Sequence, residues 1–517
     1  MKLETLIREA GKSYRSSCNV RRRRILFATS ISGNTDAANL DRVLALGIAL
    51  RGNEPAFLLC DADLSACQII KFGRVAPTEL LRSQHTPRCG ECAGHIGSHF
   101  VPLGMPHWRL DSAIDSTLSK QIDSLDSMSQ IRDFTVLDSQ IGDHAYAATV
   151  RYFATTQLHQ EPFAIEIAKR YLTSAARSFF SALSIIDNWN PDAIVAHHGI
   201  YVPQGPIVQA AKLRGVRVLT WTPSYRRGTF IFSEGDSYHH TMLEEPSESW
   251  AKTNYPVQIQ LAVDEYMTRR ERGEDDWITF SDSRPSEEQS CVTERVSNFV
   301  LALTSVTWDA EVHYRARAFT SMRDWLAATV AFYKQNKDLR LVIRIHPAEL
   351  TSPNRSREPM HEYLKQLGTA ELSNIEVVGP ASKESTYDLI RAAQGVVVFN
   401  TKAGIEAAYR EKPVVVAGEA WIKHKGFTID VDDSGEYWSA LQALHNTASL
   451  PPERVELAKK YATHFFFSRM IRLNLFSNED WPIPSNVESL FDGTLDANLL
   501  EVLKAVESGG TPCSQTW

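Results

Sequence analysis

The apolar positions of the chain form short runs that alternate with longer amphipathic stretches. The run "ILFATS" at 25–30 is followed by a polar Gly/Asn loop, an amphipathic stretch to residue 50 and a second run, "FLLC", at 57–60. This order returns at 191–221, where "PDAIVAHHGIY" and "VRVLTW" flank a helical pattern. Short runs joined by amphipathic helices predict βαβ units with parallel strands.

A second βα series follows residue 290. Its predicted strands lie in "VSNFVLALTSVTW", "LRLVIRIHP", "IEVVG", "GVVVFN" and "PVVVAG". Between the two series, the charged and Ser-rich stretch at 271–290 indicates a domain boundary. The fold class is therefore α/β, with a doubly wound, Rossmann-like domain over 1–285 and another over 286–475. We expect a ligand cleft between the strand C-termini, a tail over 476–517 that packs back on the first domain, and a short helix or loose arm over 1–20.

Composition narrows the class of protein. The 517 residues exceed one ordinary core, and 43% hydrophobic with 23% charged residues is typical of a globular protein. A net charge of −7 argues against a nucleic-acid partner. No apolar run reaches the roughly 18 residues of a membrane span, and the N-terminus lacks a signal pattern. The expected location is the cytoplasm. The basic run "RRRR" at 21–24 is interpreted either as a solvated start of a strand or as a contact for anionic lipid at the inner membrane.

The motif "RIHPAE" ends a predicted strand on a polar residue. His346 follows the apolar run, and Pro347 fixes the chain as it leaves. Arg344 and His346 alternate with apolar residues, so both are predicted on one face. The imidazole suits a phosphate oxygen or, equally, a backbone carbonyl. For Glu349 we expect one of three roles: it orients His346, it binds a nucleotide ligand, or it caps the following turn.

The motif "NTKAGIEA" also follows a predicted strand. Asn400, Thr401 and Lys402 offer side-chain donors, and Gly404 opens a helix whose first N–H groups are expected to be free for an anion. Glu406 in the first turn suits ribose hydroxyls or simply the helix dipole. Two such loops in one domain predict a nucleotide with its phosphate at the strand ends.

Together "RIHPAE", "NTKAGIEA", "KPVVVAGEAWIKHKGFTID" and "TWDA" resemble the capsule polysaccharide biosynthesis family, over most of 190–470. That family is similar to GT-B glycosyltransferases, including enzymes that use CMP-activated Kdo. The resemblance implies a nucleotide-sugar donor, such as CMP-Kdo or a similar acidic sugar, a growing glycan acceptor and no catalytic metal. It also implies polysaccharide-assembly proteins at the inner membrane as partners.

The resemblance places particular residues at the donor. His346 and Pro347 would meet the donor phosphate, and Glu406 would hold the ribose. The remaining implied donor contacts are Thr401, Lys402 and Gly404 in one loop and His424, Lys425 and Gly426 in the next. Lys402 departs from the family, which more often has a small hydroxyl residue at this position.

Transfer to a sugar hydroxyl usually needs a base. The candidates are Asp143, Glu234, Asp236 and Asp309. Asp143 and Asp309 also suit helix N-caps, and Asp236 suits an Asx turn. The candidate acceptor contacts are His198, Tyr201, Arg226 and Arg227, of which the two arginines favour a carboxylate.

Cysteines form a separate group near the N-terminus. Cys60, Cys67, Cys89 and Cys92 include the CxxC pair "CGEC". Four thiolates suit structural zinc or an iron–sulfur cluster, which would pin an excursion over 60–100. The alternative is buried core thiols with an incidental CxxC.

Three classes of function remain open from the sequence. The first is a glycosyltransferase of bacterial surface polysaccharide assembly. The second is another nucleotide-linked enzyme on this fold, either a CDP-glycerol-type phosphotransferase or a nucleotide-sugar epimerase. The third is a non-catalytic protein of the same fold that binds a glycan or a protein partner, to which Lys402 gives some weight.

Overall fold

The computed structural model divides the chain into two compact units. It describes residues 22–83, 86, 88–276, 298–309, 317–350, 355–447, 449–476, 490 and 495–514. The first unit comprises 1–153, 157–241 and 469–517, and the second comprises 154–156 and 242–468. The arm expected over 1–20 lies outside the described residues.

The strands are short and mostly buried. Numbered along the chain, they are β1 (Arg24–Ser30), β2 (Glu54–Leu59), β3 (His107–Arg109), β4 (Ala193–His197), β5 (Arg217–Pro223), β6 (Thr229–Glu234), β7 (Phe299–Leu303), β8 (Arg340–Arg344), β9 (Ile375–Val378), β10 (Gly395–Val398), β11 (Val414–Val416), β12 (Ile429–Asp430) and β13 (Ile471–Arg472).

Helices separate most of the strands. The α-helices are α1 (Thr35–Leu50), α2 (Pro77–Arg82), α3 (Cys89–His95), α4 (Ser116–Ser124), α5 (Met128–Arg132), α6 (Gly142–Phe153), α7 (Ala164–Trp189), α8 (Gln204–Leu213), α9 (Tyr238–Glu244), α10 (Val257–Glu271), α11 (Met322–Gln335), α12 (Met360–Gln366), α13 (Thr386–Ala392), α14 (Ala403–Tyr409), α15 (Ser434–Leu444), α16 (Pro452–Thr463) and α17 (Ala497–Ser508).

The first unit contains a sheet with the order β13-β6-β5-β4-β1-β2-β3 among the described residues. The strands from β5 to β3 are mutually parallel, whereas β6 and β13 join antiparallel at one edge. Read from β3, the parallel part has the order 3-2-1-4-5, which is that of a doubly wound nucleotide-binding sheet. The chain reverses its direction of winding between β1 and β4.

The second unit repeats this topology. Its described sheet has the order β12-β11-β10-β7-β8-β9, and every neighbouring pair is parallel. Counted from β7, this is the order 3-2-1-4-5-6 of the Rossmann fold, with the switch point between β7 and β10. The predicted fold class, α/β with two Rossmann-like units, is confirmed.

Each unit has its own apolar core. In the first, Phe27 and Trp221 pack with α1 and with Leu503 of α17. Gly47 permits that approach, because a Cβ there would lie 3.0 Å from Leu503 Cδ1. In the second, Ile343 and Val397 pack beneath α11 and α15. The sheets are thus covered by helices, which leaves the strand ends as the positions for polar loops.

The division between the units differs from the predicted boundary near residue 285. It falls between Thr241 and Met242, and the chain returns to the first unit at Arg469. The reason is visible in α10, where Tyr266 packs on Phe466 with ring centroids 5.1 Å apart, inside the second unit. Residues 277–290 of the expected linker lie outside the described residues.

Candidate functional site

Polar residues gather where β7, β8 and β10 end. These strands are neighbours, with β7 between the other two. The backbone N–H of His346, after β8, donates to Thr304 Oγ1, after β7, at 3.0 Å. Ser305 Oγ donates to Asn400 Oδ1, after β10, at 2.7 Å. Side-chain hydrogen bonds therefore join the three strand ends across the switch point, the position at which such sheets bind ligands.

His346 is held in one tautomer. Its Nδ1 accepts a hydrogen bond from the backbone N–H of Ala348 at 3.0 Å, so the ring proton lies on Nε2. Desolvation, followed by the positive charges of Lys402 and Arg344, lowers the pKa of His346 to about 4, against the opposing charge of Asp309. At neutral pH the residue is an uncharged imidazole with Nε2–H as its donor.

Lys402 brings a cation to the same strand ends. Desolvation and the charge of Arg270 lower the pKa of Lys402 to about 8, although Asp276 and Glu406 oppose this. Its Nζ lies 3.8 Å from Asp276 Oδ2. Lys402 also acts on His346, so the loops after β8 and β10 share one electrostatic environment.

Beneath Lys402 lies a buried ionic network. Arg270 of α10 donates through Nε to Glu406 Oε1 at 3.1 Å and also bonds the carboxylate of Asp276. Tyr266 Oη donates to Asp276 Oδ1 at 2.9 Å. Burial alone would raise the pKa of Glu406, but the charges of Arg270 and Lys402 and a hydrogen bond from Tyr387 lower it. Glu406 is thus an ionised, internally paired carboxylate, and its predicted contact with ribose stays a prediction.

The start of α14 differs from the expectation of free N–H donors, which is wrong. The N–H of Ala403 donates to Thr401 Oγ1 at 3.3 Å, and that of Gly404 to the Thr401 carbonyl at 3.3 Å. The N–H of Ile405 donates to the Lys402 carbonyl at 2.9 Å. Gly404 serves packing, because a Cβ there would lie 2.4 Å from Ile422 Cδ1.

Arg344 is directed to backbone carbonyls. Its guanidinium donates to the carbonyl of Gly379, to that of Ser382 at 3.3 Å and to Thr386 Oγ1 at 3.4 Å. Burial lowers its pKa. Arg344 therefore holds the loop that leads into α13, and its charge, rather than its donors, reaches His346.

The loop after β11 is also held by its own side chains. Lys425 Nζ donates to the carbonyls of Leu243 and Glu245 at 3.3 and 2.5 Å. His424 is exposed with φ of 62°, and Gly426 has φ of 85°. Lys425 thus anchors the chain at 243–245, which leaves His424 as the exposed side chain of this trio.

Glu349 is buried in the turn that His346 begins. The short 3₁₀ helix Pro347–Glu349 places it there, and its Oε2 accepts from the Met360 N–H at 3.2 Å. Burial, with a contribution from Glu358, raises the pKa of Glu349 to about 7. This carboxyl therefore titrates near neutral pH.

The candidate bases fall into two groups. Asp309 is exposed, and its charge acts on His346, which places it at the strand-end site of the second unit. The other three belong to the first unit. Asp143 pairs with Arg132 at 2.9 Å, Asp236 with Lys212 at 2.6 Å, and Glu234 Oε2 accepts from the Gly510 N–H at 2.6 Å.

The charges around Asp236 make it a weak base. Burial alone would raise the pKa of Asp236, but His240 and Lys212 lower it well below its usual range. A carboxylate stabilised in this way takes a proton poorly at neutral pH.

The predicted acceptor residues lie in the first unit. His198 follows β4 with φ of 64° and stacks on His239 at a centroid distance of 6.0 Å. Tyr201 is buried beneath the Arg151 guanidinium at 4.4 Å. The carbonyls of Arg226 and Arg227 accept hydrogen bonds from Thr229 and Arg472. Their role toward an acceptor stays a prediction.

The four cysteines are free thiols in one neighbourhood. Cys60, Cys67 and Cys92 are buried, and burial raises the pKa of each. The other three thiols add to the rise at Cys67. Across the described part of the chain, however, no three His, Cys, Asp or Glu residues are grouped so as to hold a metal ion. Zinc or an iron–sulfur cluster therefore stays a prediction.

Sequence reasoning missed Arg270 and Asp276. They lie in "TRRERGEDD", which resembles a solvated linker. The signal that they are buried is the apolar face of α10, on which Arg270 lies and which Asp276 follows. It also missed Glu358, which is 5% exposed and bonded by Thr156 and Thr307. Buried acids of this kind have no local sequence pattern.

These observations define a protein of two Rossmann-like units whose second sheet carries joined polar loops at its switch point. Residues 277–449, about a third of the chain, match the model of the family described as "Capsule polysaccharide biosynthesis protein". The resemblance found in the sequence is confirmed for that segment. No curated protein sequence matches the chain significantly.

Solved structures show distant likenesses. A β-Kdo 2,4 transferase, KpsC, from Thermosulfurimonas dismutans is 11% identical with a TM-score of 0.37, covering 58% of this chain and 87% of that one. A glycosyltransferase from Rickettsia africae is 10% identical with a TM-score of 0.30, covering 95% and 100%. A UDP-GlcNAc 2-epimerase from Neisseria meningitidis is 9% identical with a TM-score of 0.24, covering 85% and 97%. At these values none assigns an activity to this chain.

A helix that crosses a membrane must be both long and apolar. Within the described ranges, none is both long and apolar enough to cross a membrane.

Proposed function

We propose that the protein is a glycosyltransferase of bacterial capsular or surface polysaccharide assembly that uses a nucleotide-activated sugar. The observation that carries the proposal is the convergence of Asp309, His346 and Lys402 at the switch point of the second sheet. The family match over 277–449 covers all three residues. A neutral donor and a cation at strand ends suit a phosphate-bearing ligand.

In the proposed reaction, the bond between the anomeric carbon and the phosphate oxygen of the donor breaks. Negative charge then develops on the leaving phosphate, where the Nε2–H of His346 and the ammonium of Lys402 would stabilise it. The acceptor hydroxyl forms the new bond to the anomeric carbon. Its proton passes to a base, for which Asp309 is our candidate.

The donor is proposed to be CMP-Kdo or a similar acidic sugar, and the acceptor a growing glycan. The charge pattern favours a phosphate ligand of either the monophosphate or the diphosphate type. The resemblance to the capsule polysaccharide family supports the acidic sugar.

A turnover assay tests the proposal. Purified protein is incubated with CMP-Kdo or UDP-, CDP- and GDP-sugars, with and without a capsular oligosaccharide acceptor, and free nucleotide is measured. We expect release that requires the acceptor and falls at least a hundredfold in Asp309→Asn. Exposed Asp388 on α13 provides the control Asp388→Asn, which we expect to keep full activity.

Each alternative function predicts a different result in this assay. Conversion of a nucleotide sugar without an acceptor would indicate an epimerase, and release of CMP from CDP-glycerol a phosphotransferase. Nucleotide binding without turnover on any acceptor would indicate a non-catalytic protein and contradict the proposal.

A further inference from the structure

Segments that carry cysteines meet at the carboxyl edge of the first sheet. Ser30 ends β1, Cys60 directly follows β2, and these two strands are parallel neighbours. The Cys60 N–H donates to the Ser30 carbonyl at 2.8 Å. Helix α3, which begins at Cys89, lies against the loop that follows β1, because Ser32 Oγ donates to the Cys92 carbonyl at 2.7 Å. The topology therefore brings Cys60 and the CxxC pair of α3 to one place.

Cys67 reaches the same edge from the segment between β2 and α2. The N–H of its neighbour Gln68 donates to the Val202 carbonyl, after β4, at 2.9 Å. Because β4 pairs with β1 on the side opposite to β2, this bond places Cys67 near the ends of all three strands. Burial, and then the other three thiols, raise the pKa of Cys67. The four free thiols therefore share one environment.

The sulfurs of the CxxC pair each have a hydrogen-bond partner. The Gly33 N–H, in the loop after β1, donates to Cys92 Sγ at 3.3 Å. Glycine permits this approach, because a Cβ there would lie 2.8 Å from the same sulfur. Thr86 Oγ1 and Cys89 Sγ share a hydrogen bond at 3.3 Å. The loop after β1 is thus built closely around the sulfur of Cys92.

Backbone N–H groups also face the other two sulfurs. Burial raises the pKa of Cys60 to about 12, and backbone hydrogen bonds from Leu64 and Asp63 oppose that rise. A backbone hydrogen bond from Ile69 acts in the same direction on Cys67. A neutral thiol sulfur is a weak acceptor, whereas hydrogen bonds to cysteine sulfurs stabilise thiolates that bind iron. These donors therefore suit ligand thiolates better than neutral thiols that fill a core.

The grouping of the thiols separates two kinds of metal centre. A single zinc ion needs four thiolates around one point, each about 2.3 Å from the metal. An iron–sulfur cluster distributes its cysteines over several irons, so that no iron binds three of them. Among the residues that the structure describes, no three possible ligands are grouped around one ion, although the four thiols act on one another. This arrangement favours a cluster over a single ion.

We propose that Cys60, Cys67, Cys89 and Cys92 bind an iron–sulfur cluster in the first unit, where it joins α3 and the segment after β2 to the loop after β1. Each thiol gives up its proton as its sulfur binds iron, and this exchange of ligands transfers no electron. The positive charge of the irons offsets the burial that otherwise keeps these thiols neutral. The role is structural, and the inference does not rest on the proposed function.

The test measures metal and acid-labile sulfide bound to the full chain. The protein is purified without oxygen, analysed directly, and analysed again after incubation with iron, sulfide and dithiothreitol and removal of unbound metal. We expect iron and sulfide in equal amounts, about two or about four of each per chain, with the visible absorption of thiolate-bound iron.

Variants identify the ligands. Cys89→Ala changes the partly exposed ligand, where the loss of packing is smallest, and should lower bound iron at least about tenfold. Cys513→Ala is the matched control, because Cys513 is another partly exposed free thiol of the first unit, and it should keep the wild-type iron content. Cys60→Ser and Cys67→Ser should also lose the iron, since a hydroxyl is a poor substitute for a soft thiolate ligand. Circular dichroism verifies that each variant is folded, and Cys89→Ala decides the matter if the buried variants are not.

Three results would overturn the proposal. The first is folded Cys89→Ala protein with the iron content of wild type. The second is one zinc per chain in freshly purified protein that prevents the uptake of iron, which would indicate a single-ion site. The third is wild-type protein that takes up no metal, either with its thiols free, as core residues would be, or with Cys89 and Cys92 joined in a disulfide. None of these results depends on whether the second unit binds a nucleotide.

Discussion

The Arg270 Nε atom lies 3.1 Å from Glu406 Oε1, and both side chains are only 5% exposed. This ion pair joins α10 to α14 within the second unit, directly below the loop that carries Lys402. The sequence predicts a ribose contact for Glu406, which stays a prediction, and the structure adds Arg270 as an internal partner. The pair is therefore an element of stability on which the site depends.

Breaking this pair should destabilise the protein strongly. In Glu406→Gln the buried guanidinium loses one of its carboxylates, and removal of one partner of a buried pair costs about 3–5 kcal/mol. We expect a loss of this size in the free energy of unfolding measured by urea denaturation. Glu411→Gln, an exposed position in the turn after α14, should change it by less than ~0.5 kcal/mol. A Glu406→Gln loss as small as the control's would contradict the assignment.

The tautomer of His346 gives a prediction that distinguishes its two nitrogens. Asparagine reproduces the Nδ1 acceptor that bonds the Ala348 N–H, whereas glutamine places an amide N–H near Nε2. His346→Gln should therefore retain more nucleotide affinity than His346→Asn, by about tenfold. Fluorescence or calorimetric titration measures both. Equal affinities would show that the Nε2–H is not the donor.

The lowered pKa of Lys402 predicts that the affinity for nucleotide falls at alkaline pH. Its pKa is lowered from 10.5 to about 8 in the folded protein, so the ammonium is lost as pH rises through 8. The binding constant for a nucleotide should fall over pH 7–9 in the wild type. Lys402→Arg, which stays charged, should extend binding to higher pH, and Lys402→Met should remove the pH dependence. A wild-type affinity that is constant over this range would exclude a charge contact by Lys402.

The raised pKa of Glu349 predicts that the stability of the folded protein changes between pH 4.5 and 7. Its pKa is raised from 4.5 to about 7, so the folded state binds the proton more tightly than the unfolded state. Stability from this group is present below pH 4.5 and is lost as pH rises to 7, by up to about 3 kcal/mol. Glu349→Gln cannot ionise, so the difference in unfolding free energy between variant and wild type should grow over that interval. A constant difference would show that Glu349 has an ordinary pKa.

The sequence predicts β1, β2, β4 and β5 of the first sheet and β7 to β11 of the second, because alternation between apolar runs and amphipathic helices is a local signal. It does not predict β3, β6, β12 or β13. The strand β13 is only Ile471–Arg472, and it pairs antiparallel with Phe230 and Thr229, far away in the chain. Such edge strands depend on tertiary contacts that periodicity does not report.

In the candidate site, too, local sequence signals identify some residues, whereas residues that depend on tertiary contacts are missed. His346, Asp309 and Lys402 were found because each follows a recognisable strand, whose carboxyl end is the ligand side of the sheet. The partners of those loops were not found. Arg270 and Glu406 are 136 residues apart, and Thr307 and Glu358 are 51 apart. The N–H donors at the start of α14 were misjudged, because the sequence does not show that Thr401 Oγ1 accepts from the Ala403 N–H.

The central claim is that the strand ends around His346 bind a nucleotide. The measurement that tests it most directly is a thermal-shift titration of wild type, His346→Ala and the exposed control His361→Ala with CMP, CDP, UDP and GDP. A ligand that binds only the folded state raises the melting temperature. We predict that at least one nucleotide stabilises wild type and His361→Ala but not His346→Ala, which would also identify the base. No shift with any nucleotide in well-folded wild-type protein, or an equal shift in His346→Ala, would contradict the claim.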